Sequence, residues 1–416
     1  MGFSRIVAPF SSRNYCLYFG GQIVSLVGTW MTQTASLWLI YHLSDSAFLL
    51  GVVGFASQMP SFMLSAFAGV WIDRSNRLFL FMLTQICSMF QSFALAYFAV
   101  MQTISASHII ALSVIQGLIN AVDMPVRQAL VLDFVTKKEH LGGAIALNSS
   151  MFNAARLIGP AIAGFVIARY GAGGCYLIDG VSYLAVIVAI FFMRVEQKNH
   201  AANRQQPWYD LLEGFHYAFG FSPIRALILL VAIVSFLGFS YTVLMPIFAR
   251  DIFGGDARML GFLMSASGVG AVGGAIYLAS RKSVRGLGKV IAFGGGLMGV
   301  GLLVFAISKL LYLSLACLVM IGLGGVLLVA SSNTILQTLV EDAKRGRVMS
   351  IFVMAFTGTM PLGNLMMGSL AGWLGAVPAT ALSGVVCLLA AVTFNRKLPK
   401  LRAAASPVLT QLGIPE

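Results

Sequence analysis

Long apolar runs dominate the chain, and short polar segments separate them. Twelve runs are about 20 residues or longer, enough to cross a bilayer as helices with a rise of about 1.5 Å per residue. Inside lipid the backbone must satisfy its own hydrogen bonds, so each run is expected to be helical. We number them span one to span twelve: 15–40, 47–71, 78–101, 106–132, 142–168, 173–193, 223–248, 259–280, 289–308, 311–337, 347–373 and 376–394.

The polar stretch in the middle of the chain divides the twelve spans into two groups of six. Residues 135–164 and 340–372 share an order of charged loop, helix, proline and spaced glycines, and Pro160 and Pro361 are 201 positions apart. Parallel repeats of six helices are typical of one large class of transporter. The predicted fold is therefore all-α and membrane-integral, with 12 transmembrane helices in two six-helix bundles. The predicted divisions are 1–193, a linker at 194–222, 223–395 and a tail at 396–416.

The linker contains an amphipathic segment. Trp208, Leu211, Leu212, Phe215 and Phe219 fall on one face of a helix. This pattern predicts an interfacial helix on the inner leaflet. An ordinary linker is the alternative.

Composition excludes several classes of protein. Only 10% of the 416 residues are charged and 58% are hydrophobic, whereas a soluble domain carries about 25% charge. A soluble enzyme, a disordered chain and a coiled coil are therefore excluded. The basic residues that give the net charge of +13 form no continuous stripe that could bind nucleic acid. Of the 27 basic residues, 21 lie in the termini and the loops on their side, which places both termini in the cytoplasm.

The sequence predicts neither an enzyme active site nor a metal site. The five cysteines and five histidines are scattered, so neither a disulfide framework nor a metal site is predicted. The glycine pattern at 268–273 fits a dinucleotide fingerprint but lies inside an apolar span, where it predicts helix packing. The sequence contains no nucleotide-binding phosphate loop. We expect neither an enzyme nor a bound cofactor.

The loop after span two carries a recognisable pattern. Gly69, Asp73, Arg74 and Arg77 form G-x-x-x-D-R-x-x-R. This resembles the signature loop of the major facilitator superfamily, and the resemblance implies that these residues hold the cytoplasmic sides of the halves together. A basic topogenic loop is the alternative.

A second pattern, in span five, resembles the Gly-Pro motif of exporters in that superfamily. It contains Gly159, Pro160 and Gly164, where the proline permits a bend and the glycines permit close packing. A structural kink explains the proline equally well. The strings at 13–15, 21–33, 38–41 and 346–350 are similar to the branch that holds the enterobactin exporter and macrolide efflux proteins. That likeness implies a bacterial inner-membrane exporter of siderophores or drug-like molecules.

The sequence departs from the superfamily's drug/proton antiporters at one place. Many of these place arginine in span four as R-x-x-Q-G, but this chain has Ser113 before Gln116 and Gly117. The proton-relay assignment therefore does not transfer directly.

Charges inside spans are costly and are candidates for function. Asp123 and Arg127 are four residues apart on span four, so they are expected to pair, either for proton coupling or structurally. Arg156 in span five and Asp179 in span six are further coupling candidates, and Asp133 is a weaker one. Arg156 could instead be a donor that ties helices together.

Polar side chains suggest a substrate surface. Span one carries a stripe that either lines a water-filled cavity or bonds to neighbouring helices, and other spans add polar positions. The candidates are Gln22, Ser25, Thr29, Thr32, Gln33, Ser36, Asn148, Asn153, Asn333, Gln337, Thr357 and Asn364.

Together these features predict a secondary transporter that exports a small amphipathic molecule by alternating access, driven by the proton gradient. Its partners are expected to be that molecule and membrane lipids, with no nucleic acid, and the chain is expected to be a monomer. One alternative is an importer or lipid transporter of the same fold, because fold does not fix direction. A membrane scaffold or enzyme is the other.

Overall fold

The computed structural model describes residues 7–73, 75–135, 138–193, 207–281 and 283–411. These residues are overwhelmingly helical and contain no strand. Eleven helices among them are long and apolar enough to cross a membrane. The spanning segments are Arg13–Ser44, Ala47–Asp73, Arg77–Val100, Ala106–Phe134, Leu141–Phe192, Ser222–Ile252, Ala257–Ser280, Leu287–Ile307, Leu311–Leu339, Lys344–Leu374 and Ala376–Gln411.

One of the eleven helices accounts for two predicted spans. Leu141–Phe192 has 52 residues, which corresponds to about 78 Å of helix, far more than the ~30 Å hydrocarbon layer. Its path breaks at Gly171, where φ is 73°, a left-handed conformation that glycine adopts without a steric penalty. The segments before and after this glycine are spans five and six. The prediction of an all-α fold with twelve spans is therefore confirmed.

The chain divides into two compact units. One comprises Met1–Ala202 with Pro246–Ser265, and the other comprises Asn203–Met245 with Ala266–Glu416. In the first unit, span one packs along the helix that holds spans five and six, and span two packs on span four. In the second unit, span nine packs against spans ten and twelve. The division predicted from sequence, with a boundary at 194–222, stays a prediction.

Small residues bring helices of the second unit into backbone contact. Gly270 lies against the backbone of Val319, and Gly322 lies against that of Ser267, so a methyl group at either glycine would collide. Spans eight and ten therefore meet without intervening side chains, as small residues permit in membranes. The glycine pattern at 268–273 thus contributes to helix packing, as predicted.

Spans seven and eleven depart from regular α-helix. Span seven contains π-turns at Val234–Gly238 and Phe248–Ile252, with a 3-10 segment at Phe239–Leu244 between them. Span eleven contains a π-turn at Met354–Gly358. The hydroxyl of Ser235 donates to the carbonyl of Phe356, so two of these irregular segments face each other. The sequence predicted uninterrupted helices here, because hydrophobicity does not report helix type.

The linker contains a helix, Pro207–Gly220, which contacts the start of span eleven and the start of span seven. Glu213 pairs with Arg347 at 2.6 Å, and the Lys344 ammonium lies 4.5 Å from the ring centre of Tyr217. The side chains of Trp208, Leu211 and Leu212 lie outside the described set, so their predicted interfacial face stays a prediction.

The last helix is longer than expected. It begins at Ala376 and continues to Gln411, so the predicted tail is helical at least that far.

Candidate functional site

The predicted pair in span four is formed. The Arg127 Nε lies 2.6 Å from the Asp123 Oδ2, and the Asp123 side chain is almost fully buried. Asp123 also accepts from Gln85 Nε2 at 2.7 Å, and the Thr84 Oγ1 lies 2.8 Å from the same carboxylate oxygen. Both carboxylate oxygens are thus occupied, one by a cation and one by neutral donors.

Sequence reasoning missed the donors from span three, which bond both Asp123 and Asp179, whereas the second donor to Asp179, Thr32 of span one, was among the predicted candidates. Polar residues at 84, 85, 88, 91 and 92 are all buried and recur at helical spacing. Their helical periodicity indicates a buried polar face on span three. Span three holds no charge between Arg77 and its end, so a search for charges inside spans does not find this face.

Asp179 in span six has a different environment. Its side chain is 1% exposed, and its Oδ2 accepts from Ser92 at 2.8 Å and from Thr32 at 2.9 Å. Its Oδ1 has no hydrogen-bond partner among the described residues. It lies against Gly28 of span one, where a Cβ would approach it to 2.6 Å. Within the described chain, this acid is bonded only by neutral hydroxyl donors.

Tyr183 is a buried polar side chain one helical turn from Asp179 on span six. It is 2% exposed, and its hydroxyl is 3.4 Å from the Thr29 Oγ1. Span one thus contacts span six beside this acid as well as at Thr32.

The stripe on span one faces span six over part of its length. Thr29, Thr32 and Ser36 contact Tyr183, Asp179 and Tyr176 respectively, the last pair at 3.2 Å.

Gln22 and Ser25 are fully buried, and neither the Gln22 amide nor the Ser25 hydroxyl has a partner among the described residues. Buried polar atoms of this kind are normally satisfied by ordered water. Gln33 is exposed.

The remaining candidates are dispersed. The Arg156 guanidinium lies 6.0 Å from the ring centre of Trp30, and Asn153 donates to the carbonyl of Ser149 at 2.8 Å. Asn148 is partly buried. In the second unit, Gln337 donates to Asn333 at 3.1 Å, Thr357 is exposed, and Asn364 is buried with an unpartnered Oδ1 among the described atoms. Their roles with substrate stay predictions.

The signature loop is described in part. Gly69 and Asp73 lie in the helix of span two, but the Asp73 side chain and all of Arg74 lie outside the described set. Arg77 starts span three and pairs with Asp133 at the end of span four, at 3.1 Å. Asp133 therefore contacts an arginine of the loop motif.

The Gly-Pro segment lies at close helix approaches in the first unit. A Cβ at Gly159 would come within 2.5 Å of the Trp30 Cβ. One at Gly164 would come within 2.8 Å of the Ala257 carbonyl oxygen. Pro160 is buried, and its carbonyl oxygen is close to Gly261 of span eight.

A further network, not predicted from the sequence, joins the end of span one to the end of span seven. Arg250 pairs with Asp45 at 2.6 Å and with Asp251 at 2.8 Å, and its guanidinium lies 4.2 Å from the Tyr41 ring centre. The Tyr41 hydroxyl donates to Asp251. Asp45, Arg250 and Asp251 lie outside the twelve predicted spans, where single charges are common.

Comparison with known proteins identifies the class. A family model described as transmembrane secretion effector matches residues 4–415. The chain belongs to this family of major facilitator transporters. It is therefore a transporter embedded in the membrane and not an enzyme, and a small molecule is its substrate.

Curated relatives include transporters with named cargoes. The chain is 28% identical to the staphyloferrin A transporter of Staphylococcus aureus, over 92% of this chain and 96% of that protein. It is 24% identical to the multidrug efflux pump Tap of Mycolicibacterium fortuitum, over 91% and 95%. The enterobactin exporter EntS of Escherichia coli is 26% identical over 64% and 63%.

Solved structures agree on the fold. A peptide-family (POT) transporter in complex with a thioalcohol-conjugated peptide has a TM-score of 0.74 at 13% identity, covering 94% of this chain and 96% of that one. At this identity the likeness concerns the fold alone.

Proposed function

We propose that the chain exports a small amphipathic compound, a siderophore or drug-like molecule, across the bacterial inner membrane in exchange for protons. Its twelve spans alternate access to a central cavity, and both termini lie in the cytoplasm. It acts as a monomer and needs no cofactor other than the proton gradient. The resemblance to exporters in spans one and five supports the direction, as do relatives named as efflux pumps and exporters.

The observation that carries proton coupling is the difference between the two buried acids. Asp123 is held by Arg127, so protonating it would leave a buried cation without its anion, which is unfavourable. Asp179 is buried among neutral donors, with Oδ1 unpartnered within the described structure. Desolvation disfavours the charged form of such a carboxyl, so it can take up a proton without breaking an ion pair.

In this mechanism Asp179 carries the proton. Protonation removes a buried negative charge beside span one and changes the hydrogen bonds to Thr32 and Ser92. The Asp179 carboxyl lies against Gly28 of span one, so a small movement of the carboxyl displaces span one. Tyr183, one helical turn from Asp179, contacts Thr29 of span one and extends the buried polar surface around this acid.

Substrate contacts are proposed for the candidates that remain accessible. Gln33, Thr357 and Gln337 are exposed on spans one, eleven and ten, and Arg156 offers a cation beside Trp30. The Arg77 loop, with Gly69, Asp73 and Arg74, and the Gly159–Pro160–Gly164 segment are proposed to control the conformational change.

The test uses inside-out membrane vesicles with an imposed pH gradient, acid inside. Staphyloferrin A, enterobactin and a macrolide are the probes, because relatives are named for them. Export in the cell predicts that at least one probe accumulates in the vesicles and that a protonophore abolishes accumulation. Accumulation that is indifferent to the protonophore would rule out proton coupling. Accumulation only in right-side-out vesicles would show import.

A further inference from the structure

A cleft in the second unit lies outside every site considered so far. It has a volume of about 660 Å³, within the range of small-molecule sites, and is formed by the starts of spans seven and nine and the ends of spans ten and twelve. All of these ends belong to the side of the membrane on which the chain's cationic loops lie. The helical extension beyond span twelve forms one wall.

The cleft has an apolar wall. Its side chains include Leu227, Ile335, Leu339, Phe394, Leu398 and Leu401. Four of the six are less than 9% exposed, so most of the wall is packed against other residues of the protein. Leu398 also contacts Gly288, where a Cβ would come within 2.7 Å of its Cδ1, which holds the extension close to the start of span nine.

Three cations lie at the rim of this wall. Arg285, Lys289 and Arg402 line the cleft, and its lining contains no aspartate or glutamate. All three side chains are exposed, and within the described residues none of them forms an ion pair. Arg281 donates to the carbonyl of Arg285 at 2.5 Å, which fixes the backbone of the loop.

We propose that this cleft binds an anionic phospholipid of the surrounding membrane. The phosphate lies among Arg285, Lys289 and Arg402, and an acyl chain lies along the apolar wall. Three cations without acidic neighbours beside an apolar surface complement a molecule that has one anionic end and one hydrocarbon end. Basic pockets between spanning helices on the cytoplasmic side bind anionic headgroups by the same physics. The proposal depends on membrane embedding and not on the export function.

The last helix continues well beyond the membrane span, and one face of this extension lines the cleft. A membrane span needs about 20 residues, and Ala376–Gln411 has 36. Its final turns present Leu398, Leu401 and Ala405 to the protein and Arg396, Lys397 and Lys400 to the surroundings. Only Arg402 of the four cations lines the cleft. The other three provide a matched control of equal charge.

The test measures lipid binding to the purified full-length chain by native mass spectrometry, titrating phosphatidylglycerol or phosphatidylcholine. The site variant is Arg285→Gln/Lys289→Gln/Arg402→Gln, and the control variant is Arg396→Gln/Lys397→Gln/Lys400→Gln. Because each cation near a lipid surface contributes about fivefold, the site variant is expected to bind phosphatidylglycerol about a hundredfold more weakly. The control is expected to stay within a few-fold of wild type.

Three outcomes would overturn the proposal. Equal weakening in both variants would indicate diffuse charge attraction, and equal binding of both lipids would remove the headgroup preference. Displacement of the lipid by millimolar inorganic phosphate would identify a free-anion site instead. If the triple variant does not fold, the single variants Arg402→Gln and Lys400→Gln are compared, with about fivefold weakening expected only for the first.

Discussion

Asp123 and Asp179 are both buried acids, on spans four and six of one unit, yet their surroundings differ. The first has a cation at 2.6 Å, and the second is bonded only by neutral donors within the described structure. Removing one member of a buried ion pair leaves the other charge without compensation, whereas removing an unpaired buried charge does not.

This difference predicts opposite effects on stability. Asp123→Asn is expected to destabilise the purified protein by about 3 kcal/mol, because Arg127 keeps its charge. Asp179→Asn is expected to be neutral or stabilising, since a buried charge is lost while the side-chain size is kept. Thermal unfolding in detergent measures the stability of both variants.

The double variant Asp123→Asn/Arg127→Gln is the control, and it is expected to recover part of the stability that Asp123→Asn loses. A larger loss of stability in Asp179→Asn than in Asp123→Asn would contradict this description.

Glycine positions give a second test at single residues. Gly159→Ala places a methyl group 2.5 Å from the Trp30 Cβ, and overpacking of this kind typically costs about 1–3 kcal/mol. Gly142, in the same helix, has open space around its Cβ position, so Gly142→Ala is expected to be tolerated. Relative unfolding temperatures of the two variants distinguish them. Equal temperatures would mean that spans one and five do not meet closely at Gly159.

Sequence reasoning found the charged members of the site and one neutral partner, Thr32, but not the neutral partners in span three. Asp123, Arg127 and Asp179 stand out because charges within lipid are rare and costly. Gln85 and Ser92 are polar residues in an apolar helix, and only the packing of span three onto spans four and six shows what they bond. The spacing of residues along the sequence predicts contacts within one helix, such as Asp123 with Arg127. It does not predict the distances between helices, which decide whether Asp179 has a cation partner.

At the scale of helices, hydrophobic run length predicted the spans well. Every predicted span coincides with described helical segments to within one residue at its ends, because the thickness of the bilayer sets its length. Span seven shows the limit of this reasoning, since its π- and 3-10 segments keep the same hydrophobicity as regular helix. Their geometry depends on tertiary contacts such as Ser235 with Phe356.

The network of Arg250 predicts how firmly the end of span seven is held. Arg250→Gln removes ion pairs with Asp45 and Asp251, so amide exchange in 246–253 is expected to rise about fivefold, corresponding to about 1 kcal/mol. Hydrogen-exchange mass spectrometry measures this. Arg258→Gln is the matched control, because Arg258 pairs only with the exposed Asp256 among described acids. Unchanged exchange in the first variant, or an equal rise in both, would show that the network does not hold this segment.

At the scale of the whole molecule, charge has two roles. Most of the excess positive charge lies in loops and follows the topology expected for a membrane protein. A small remainder does not follow topology: Asp123, Asp179, Arg127 and Arg156 inside spans of the first unit, the Arg250 network, and the three cations for which the lipid cleft is proposed. Neither the family nor the fold assigns a direction or a coupling ion, because one fold supports many transport reactions.

We propose that Asp179 couples proton movement to transport. Transport by wild type and by Asp179→Asn is compared in proteoliposomes, with the transported probe from the vesicle assay. The variant is expected to lose gradient-driven net flux by at least about tenfold while retaining substrate exchange without a gradient, since a neutral side chain cannot release a proton. Net flux at the wild-type rate in Asp179→Asn would contradict it.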